Sequence, residues 1–443
     1  MAFAPLSGRI IRALPVVAAV ALSTPAARAD DRGLLLAQIN AHPTDYDATF
    51  AYVRASTAAR DDESAISALE RLLFFNPALT RAKYELGNLY MRLGSNAMAA
   101  RYFGEALAAG DLDPDLRVRA ETYLPLAKKE LQPDRVYGLL EAGAAYNSNP
   151  GGLPPASLIA SNLLTVPIGA GNAGRGVGMG FGLFDARFVH DFQNERGDTF
   201  EAHVQGYATA QFGLSALNVG LANLSAGPRL AIAPEVLPGW TIHPYGAYSL
   251  LSVNGSVYAT TQGAGVSIGA PLTRWFSLEP GVEWASVLVN DSFARVTDAT
   301  LNSGVEWTGS LAAKWSASDV VTVKGRVFAS TNRTSDILLA SSQQGVEASI
   351  KFDFDPPVSG IPLLWSITPF ARYTTVAFDR VNAFAQELTP RRDTLWRAGG
   401  QLDMPLNAWL GLTALAQYEN NRSNDVQFGY SAWTASLGAT VRF

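Results

Sequence analysis

The chain ends in Ser436-Leu437-Gly438-Ala439-Thr440-Val441-Arg442-Phe443 (SLGATVRF), and this stretch decides the fold class. From Leu437 onward every second residue is Leu, Ala, Val or Phe, and the residues between them are Gly, Thr and Arg. Successive side chains of a β-strand point to opposite faces, so the alternation predicts a strand with one apolar and one polar face. A half-buried strand of a soluble protein would show the same pattern, so the rest of the chain has to decide where this strand lies.

The terminal phenylalanine makes the pattern more specific. Together with Ser436, Gly438 and Val441, Phe443 resembles the C-terminal signal by which the barrel assembly machinery recognises the last strand of bacterial outer-membrane β-barrels. The resemblance implies that this machinery and outer-membrane lipid are partners of the chain. It also implies that the last strand ends on the periplasmic side.

The first 29 residues have the organisation of a secretory signal peptide. Arg9 and Arg12 precede an apolar run over residues 13–22, and Ala27-Arg28-Ala29 provides an A-x-A cleavage site. The apolar run is too short to cross a bilayer. A signal that stays attached as a membrane anchor is the alternative. Export predicts that the mature chain works outside the cytoplasm.

The composition narrows the functional classes. The chain has no cysteine, so neither disulfides nor thiolate metal sites contribute, and we predict no cofactor. The net charge is −5, and −8 once the three arginines of the signal are removed, which disfavours a nucleic-acid partner. Apolar residues make up 48% of the chain and charged residues 16%. Low charge without long apolar runs suits strands that face lipid on one side.

The density of charge divides the mature chain in two. Residues 30–135 carry 29 charged side chains in 106 residues, whereas residues 136–443 carry 41 in 308. At the same boundary the apolar periodicity changes from helical to alternating. We therefore predict a signal peptide at 1–29, a short periplasmic all-α domain like tetratricopeptide repeats (TPR) at 30–135, and an antiparallel transmembrane β-barrel of about 14 strands at 136–443.

The predicted helical domain shows an internal repeat. Three positions recur 34 residues later, which is the TPR period. Small residues are expected where the two helices of a repeat approach, and large apolar residues between repeats. The predicted packing residues are Ala65, Leu69, Leu72, Pro77, Leu86, Gly87, Tyr90, Ala99, Phe103 and Ala106. Residues 114–131 are predicted to form a closing helix that Pro125 interrupts. An ordinary helical bundle with coincidental spacing is the alternative.

From residue 136 onward we count 14 amphipathic strands, and their connections indicate an orientation. The odd-numbered connections include the long segments 147–176, 287–302, 330–344 and 379–392, whereas even-numbered ones include the short turns 270–273, 316–319 and 405–407. Outer-membrane barrels have short periplasmic turns and long outer loops. This parity places the even-numbered turns in the periplasm. Residues 147–176 are either an inward-folded plug or a surface loop.

Tryptophans give a second indication of a membrane barrel. Indole rings favour the interfaces of a bilayer, so two girdles are expected. The residues predicted near the periplasmic ends are Trp240, Trp275, Trp315, Trp365 and Trp409, and those near the outer ends are Trp284, Trp307, Trp396 and Trp433.

The lumen-facing residues do not form a catalytic motif, and we predict that the chain is not an enzyme. The candidates are Glu201, His203, Glu283, Glu306, Lys314, Lys324, Arg326, Glu347, Lys351 and Arg397. Their mixed charge disfavours an anion-specific porin or a polyanion exporter. A barrel hydrolase would need a serine beside His203, and the many lumen serines leave that alternative open.

The domain order resembles the surface lipoprotein assembly modifier (Slam) family. The resemblance is carried by residues 65–77 and 84–106, by the stretch 137–149, and by the C-terminal strand. Ala145-Tyr146-Asn147-Ser148-Asn149 is similar to the Tyr-Asp-Ser-Asn pattern that opens the barrel of that family, with Asn147 in place of Asp. The 14 predicted strands also match that family's barrel.

The resemblance implies an outer-membrane translocon that delivers lipoproteins or secreted proteins to the cell surface. The translocated protein would be the partner, and its folding outside the cell would drive passage, because the periplasm supplies no nucleotide. A polysaccharide-export porin fed by a TPR scaffold is the alternative from another class, although such scaffolds are usually longer. A general diffusion porin with an attached periplasmic domain is the third.

Overall fold

The computed structural model describes residues 29–149, 176–290, 303–336, 338–358, 361, 363–381, 389–425 and 428–443. The predicted signal peptide, apart from Ala29, and most of the plug candidate at 147–176 lie outside the described residues. None of the helices in the described ranges combines the length and the hydropathy needed to cross a bilayer.

Six helices form the N-terminal domain. They are α1 (Ala29–Ala41), α2 (Tyr46–Ala58), α3 (Asp62–Phe75), α4 (Thr80–Arg92), α5 (Asn96–Ala109) and α6 (Pro114–Lys129). The carboxylates of Asp45, Asp61 and Asp113 accept backbone hydrogen bonds at the starts of α2, α3 and α6, which satisfies amide groups that have no helical partner. Gly110, with φ of +83°, ends α5 in the left-handed conformation that glycine adopts without strain.

The predicted packing residues lie mainly in the core of this domain. Ala65, Leu69, Leu72, Leu86, Gly87, Ala99, Phe103 and Ala106 are buried, whereas Tyr90 is half-buried and Pro77 is exposed in the α3–α4 loop. Gly87 allows the closest approach, because a Cβ atom there would lie 2.6 Å from the ring of Phe103. Helices α4 and α5 therefore pack through a position that tolerates no side chain.

Two features of the helical domain differ from the sequence-based expectation. Helix α6 is continuous through Pro125 instead of being interrupted by it. Proline removes one backbone donor, but Ala120 and Ala127 on either side are fully buried, and this packing holds the helix together. Helix α1 was not predicted.

The rest of the described chain forms a closed antiparallel barrel of 14 strands, as predicted. The strands are β1 (Asp134–Asn147), β2 (Val177–Asp191), β3 (Thr199–Gln211), β4 (Val219–Ala231), β5 (Thr241–Val253), β6 (Ser256–Thr273), β7 (Phe276–Val289), β8 (Gly304–Ser316), β9 (Val321–Thr334), β10 (Ser341–Phe354), β11 (Trp365–Phe378), β12 (Arg392–Pro405), β13 (Leu410–Ser423) and β14 (Tyr430–Arg442). Each strand pairs with its sequence neighbours, and β1 closes the barrel against β14.

The alternating sequence sets the two faces of the barrel wall. In β8 the side chains of Trp307, Leu311 and Trp315 are exposed on the outside, whereas Glu306 and Thr308 are buried on the inside. Such a wall presents apolar side chains to lipid and polar ones to the lumen.

Tryptophans lie at both rims of the barrel wall. Those at the helical-domain end are Trp240, Trp275, Trp315, Trp365 and Trp409, in turns or at strand ends, and those in the other half of the wall are Trp284, Trp307, Trp396 and Trp433. At the far rim Trp396, Tyr418 and Trp433 pack against one another, with ring centroids 5.1 and 4.7 Å apart. These rings form the aromatic belts expected at bilayer interfaces.

Short connections occur at both ends of the barrel, and the three longest, over residues 148–176, 290–303 and 379–391, all lie at the far end. At the end that bears the helical domain, β6–β7 and β8–β9 are joined by the short turns 274–275 and 317–320. At the far end β5 and β6 meet in a tight turn in which Asn254 and Gly255 have φ of +52° and +79°. The connection predicted at 330–344 is shorter, at 335–340, because Ser341 and its neighbours continue the pairing with β9.

Candidate functional site: the barrel interior and its covered end

All ten predicted lumen residues face the barrel interior, as the cross-strand register places them on one side of the wall. They fall on two different walls. Glu201 and His203 lie on β3, Glu283 on β7, and Glu306 and Lys314 on β8; Lys324 and Arg326 lie on β9, Glu347 and Lys351 on β10, and Arg397 on β12. Most of the acids therefore occupy β3–β8 and most of the bases β9–β12. We name the two sides the acidic wall and the basic wall after these ten residues, although Asp353, Asp393 and Asp403 also face the lumen on β10 and β12 and balance most of the positive charge there.

The interior is accessible to water. The lumen-facing side chains of Arg187, Lys351 and Glu279 are 50%, 48% and 47% exposed. Charged groups with this exposure keep their hydration, so the lumen is a polar space that water fills at these positions.

The acidic wall is braced by ion pairs. Glu201 Oε1 lies 2.9 Å from both Arg187 Nη2 and Arg229 Nε. His203 Nε2 lies 3.1 Å from Asp185, which also accepts a hydrogen bond from Gln205. These contacts join β2, β3 and β4 across the inner surface, and they pair the acidic side chains with basic ones.

The contacts of His203 bear on the hydrolase alternative. Its cross-strand neighbour on β4 is Ser225, yet its ring contacts Asp185 and not a serine hydroxyl. A Ser–His–Asp triad requires the histidine to bridge the other two groups. Within the described ranges there is also no cluster of His, Asp or Glu side chains that would hold a metal ion.

The basic wall contains a fully buried ion pair. Arg397 Nε donates to Glu419 Oε2 at 2.6 Å, and the hydroxyl of Tyr430 donates to Glu419 Oε1 at 2.6 Å. Arg397 is 2% exposed and Glu419 4%. Next to them, Arg372 Nη1 lies 3.1 Å from Glu347 Oε1.

The predicted assembly signal lies at the barrel seam, where β14 meets β1. Ser436 and Gly438 face the lumen, and Val441 and Phe443 face outward. The backbone of Phe443 exchanges two hydrogen bonds with Gly138, of 2.9 and 3.1 Å, and its ring occupies the space where a Cβ atom of Gly138 would stand. The last residue thus closes the seam at the helical-domain end.

The Tyr-Asn-Ser-Asn stretch closes the other end of the same seam. Ser148 donates its backbone N–H to the carbonyl of Trp433 at 2.9 Å, and its Oγ accepts from the N–H of Trp433 at 2.8 Å. Asn147 Oδ1 accepts from the N–H of Asn149 at 2.8 Å, a local turn that asparagine and aspartate both form. The Asn147 side chain therefore forms a local turn at the start of the connection that follows β1.

The helical domain docks on turns of the barrel. In the α2–α3 loop, Arg60 Nη2 donates to the carbonyl of Ser316 at 2.5 Å, and its guanidinium lies 4.2 Å from the centre of the Trp275 ring. Beside it, Glu63 Oε1 lies 3.0 Å from Arg274 Nη2. These contacts fix the α2–α3 corner on the β6–β7 turn and the end of β8.

Two further arginines extend the docking surface. Arg92 at the end of α4 lies 2.9 Å from Asp319 in the β8–β9 turn. Arg119 of α6 lies 3.2 Å from Asp355, just after β10. The α6–β1 junction is fixed as well, because the hydroxyl of Tyr137 donates to Glu130 at 2.5 Å.

These contacts place the helical domain across the barrel opening. The domain is joined covalently to β1, and β8 lies diametrically opposite β1 in a ring of 14 strands. The docking turns are those that flank β7 to β10. Since the domain is held at both sides of the ring, it bridges the mouth at this end.

Electrostatics differ among the carboxylates at this interface. Its own backbone N–H and the guanidinium of Arg274 hold the pKa of Glu63 below its usual range. For Asp61, burial acts in the opposite direction, but hydrogen bonds from Arg32 and Ser64 still lower the pKa. Burial raises the pKa of Asp62, although Arg92 partly compensates for it.

No protein-family model matches the chain, and no curated protein matches it. Among solved structures, it is similar to a bacterial polysaccharide outer membrane secretin (10% identity, 69% of this chain and 98% of that chain, TM-score 0.35). It is also similar to an anion-selective porin from Comamonas acidovorans (10% identity, 70% and 99%, TM-score 0.35) and to the outer membrane channel DcaP of Acinetobacter baumannii (10% identity, 70% and 97%, TM-score 0.38). At these identities and TM-scores the similarity assigns neither cargo nor mechanism to this chain.

The chain's own geometry gives the coarse assignment. An apolar outer wall between aromatic belts and a polar, hydrated interior make this an outer-membrane β-barrel with the architecture of a channel. The sequence did not predict the docking arginines, because contacts such as that of Arg60 with Ser316 join residues far apart in the chain.

Proposed function

We propose that the chain is an outer-membrane translocon that delivers lipoproteins or secreted proteins from the periplasm to the cell surface. The observation that carries the proposal is the helical domain that bridges one mouth of the barrel. A general diffusion pore does not need a domain that bridges its mouth. A translocon uses such a domain to receive its cargo before the cargo enters the barrel.

The orientation follows from the barrel ends. The helical domain, the end of β14 and the even-numbered turns lie at one end of the barrel. Outer-membrane barrels keep their short turns in the periplasm. The helical domain then faces the periplasm, where an exported cargo first appears.

An exposed apolar patch favours a polypeptide as cargo. Phe74 and Phe75 at the end of α3 are 81% and 48% exposed, and their rings pack edge to face with centroids 5.4 Å apart. Tyr46 is also exposed, and its hydroxyl accepts a hydrogen bond from Asn76, the residue that follows Phe75. Exposed aromatic groups of this kind bind the apolar side chains of an unfolded segment.

The test is the surface exposure of a secreted or lipidated protein encoded beside this chain. Intact cells with and without the chain are treated with protease, and cleavage of the co-expressed protein is measured. We expect cleavage only when the chain is present. Phe74→Ser with Phe75→Ser should reduce it, whereas Val236→Ser, which changes an exposed apolar residue of the β4–β5 turn, should not.

The same experiment separates the alternatives. A cargo whose location does not change while the barrel is inserted would argue against translocation of that cargo. Export of an anionic or neutral polysaccharide would then be measured in the same strains. A general diffusion porin would instead show large, stable conductance in planar bilayers with the helical domain in place.

A further inference from the structure

One row of lumen-facing side chains crosses the five neighbouring strands β9 to β13. By cross-strand register the row contains Arg326 of β9, Glu347 of β10, Arg372 of β11, Arg397 of β12 and Glu419 of β13. It holds three guanidinium groups and two carboxylates. The row therefore carries an excess of one positive charge inside the barrel.

The two carboxylates lie outside the central pair of arginines. Arg372 is paired with Glu347 on one side, and Arg397 with Glu419 on the other. Between them, Arg372 and Arg397 are direct cross-strand partners. Like charges opposite each other destabilise a sheet. We call the space between the Arg372 and Arg397 side chains the arginine step. Each arginine pairs with a carboxylate on its outer side, but no carboxylate of a described residue pairs with either of them at the step.

One donor at this step is unused. Arg397 as a whole is only 2% exposed. Its Nη1 is buried and makes no hydrogen bond to any residue that the structure describes. The hydroxyl of Tyr430 holds Glu419 in place from its other side, which keeps that carboxylate with Nε and Nη2 of Arg397. A buried charged donor without an acceptor costs free energy.

The position of Arg372 is also fixed. Its Nε donates to Thr374 Oγ1 at 3.2 Å. Its guanidinium lies 5.2 Å from the centre of the Phe328 ring, and that of Arg326 lies 5.6 Å from the same ring. Both guanidinium groups therefore make cation–π contacts with the same phenylalanine ring, which attracts positive charge.

We propose that the step between Arg372 and Arg397 binds an oxyanion group, such as a phosphate, a sulfate or a carboxylate. Two oxygens of the anion accept hydrogen bonds from the two guanidinium groups, one of them from Arg397 Nη1. Arginine forks suit such planar, two-point recognition. The site does not depend on which cargo the barrel carries.

The test titrates purified full-length protein in detergent with inorganic phosphate and, separately, with a hexaglutamate peptide, by calorimetry. We expect saturable binding that Arg372→Gln weakens about tenfold or more, the loss that one charge-assisted contact produces. Tighter binding of phosphate would identify a free ion or small solute as the ligand. Tighter binding of the peptide would identify an acidic segment of a polypeptide.

The matched control is Lys351→Gln on the same wall. Lys351 carries the same charge but is exposed and paired with Asp353 at 2.7 Å, so its loss should change affinity less than about twofold. Equal weakening by both variants, or no saturable binding to the wild type, would overturn the site. If Arg372→Gln fails to fold, Glu347→Gln serves instead: it frees Arg372 and should tighten binding, and unchanged or weaker binding would count against the proposal.

Discussion

Arg92 joins the two domains through one guanidinium group. Its Nη1 lies 2.9 Å from Asp319 in the β8–β9 turn, and its Nη2 lies 3.1 Å from Asp62 at the start of α3. Asp62 is almost fully buried, so the arginine is oriented from inside the helical domain. The contact with the barrel is therefore prepared by the fold of the helices and does not depend on a flexible surface side chain.

Removing several docking contacts should release the helical domain from the barrel mouth. Each ion pair at such a surface stabilises by about 0.2–1 kcal/mol, so Arg92→Ala alone should have a small effect. Combining it with Arg60→Ala and Arg274→Ala should increase hydrogen exchange at the amides of the β6–β7 and β8–β9 turns.

The control is Arg101→Ala, which removes an ion pair within α5 that has no barrel contact. It should leave exchange at both turns unchanged. Turn amides that stay fully protected in the triple variant would show that the domain is held by other contacts.

Gly87→Val should destabilise the helical domain. Any Cβ atom at Gly87 would lie 2.6 Å from the Phe103 ring, and overpacking of this kind costs about 1–3 kcal/mol. Gly104→Ala on the next helix has open space around its Cβ position and should stabilise by about 0.5–1 kcal/mol. Thermal unfolding followed by circular dichroism measures both, and a wild-type melting temperature for Gly87→Val would contradict the packing.

The sequence predicted the barrel well because alternation is a local signal. The residues of β8 alternate strictly, and each side chain faces the side that the pattern indicates. The docking of Arg60 on Ser316 joins residues 256 positions apart, and no local pattern encodes it. The pairing of Arg397 with Glu419 likewise depends on strand register, which single-sequence patterns leave undetermined within a few residues.

Gly138→Val should impair closure of the barrel. A Cβ atom there would lie 2.0 Å from the ring of Phe443, so the last residue could not pack at the seam. We expect loss of the heat-modifiable folded band on gels and less protein in the outer membrane. Gly182→Ala on β2, which has open space around its Cβ position, should assemble normally. Wild-type assembly of Gly138→Val would mean that this contact is dispensable.

Docking should be constant near neutral pH and weaken in acid. The pKa of Glu63 is lowered in the folded protein, by its own backbone N–H and by Arg274. Its contribution is therefore complete above the unfolded value of about 4.3 and is lost as pH falls through the lower folded value. The effect of Asp62 on stability has the opposite sign, because burial raises its pKa. Protonation of Asp62 as the pH falls therefore removes the cost of its buried charge.

Hydrogen exchange at the β6–β7 turn, measured against pH, checks this expectation. Protection should be constant from about pH 6 to 8 and decrease below about pH 4. Glu63→Gln should remove the part of the decrease that depends on Arg274. A loss of protection already near pH 6 would contradict the assignment to Glu63.

Removing one partner of the buried pair Arg397–Glu419 should lower the free energy of unfolding more than replacing both partners with apolar residues. Arg397→Met leaves the carboxylate of Glu419 buried with the hydroxyl of Tyr430 as its remaining hydrogen-bond donor in the described part of the chain, and removing one partner of such a pair costs about 3–5 kcal/mol. Arg397→Met with Glu419→Leu removes both charges, and we expect it to recover at least half of that loss. Urea unfolding of the four proteins in the double-mutant cycle gives the coupling. Additive losses would show that the two groups act independently despite their hydrogen bond.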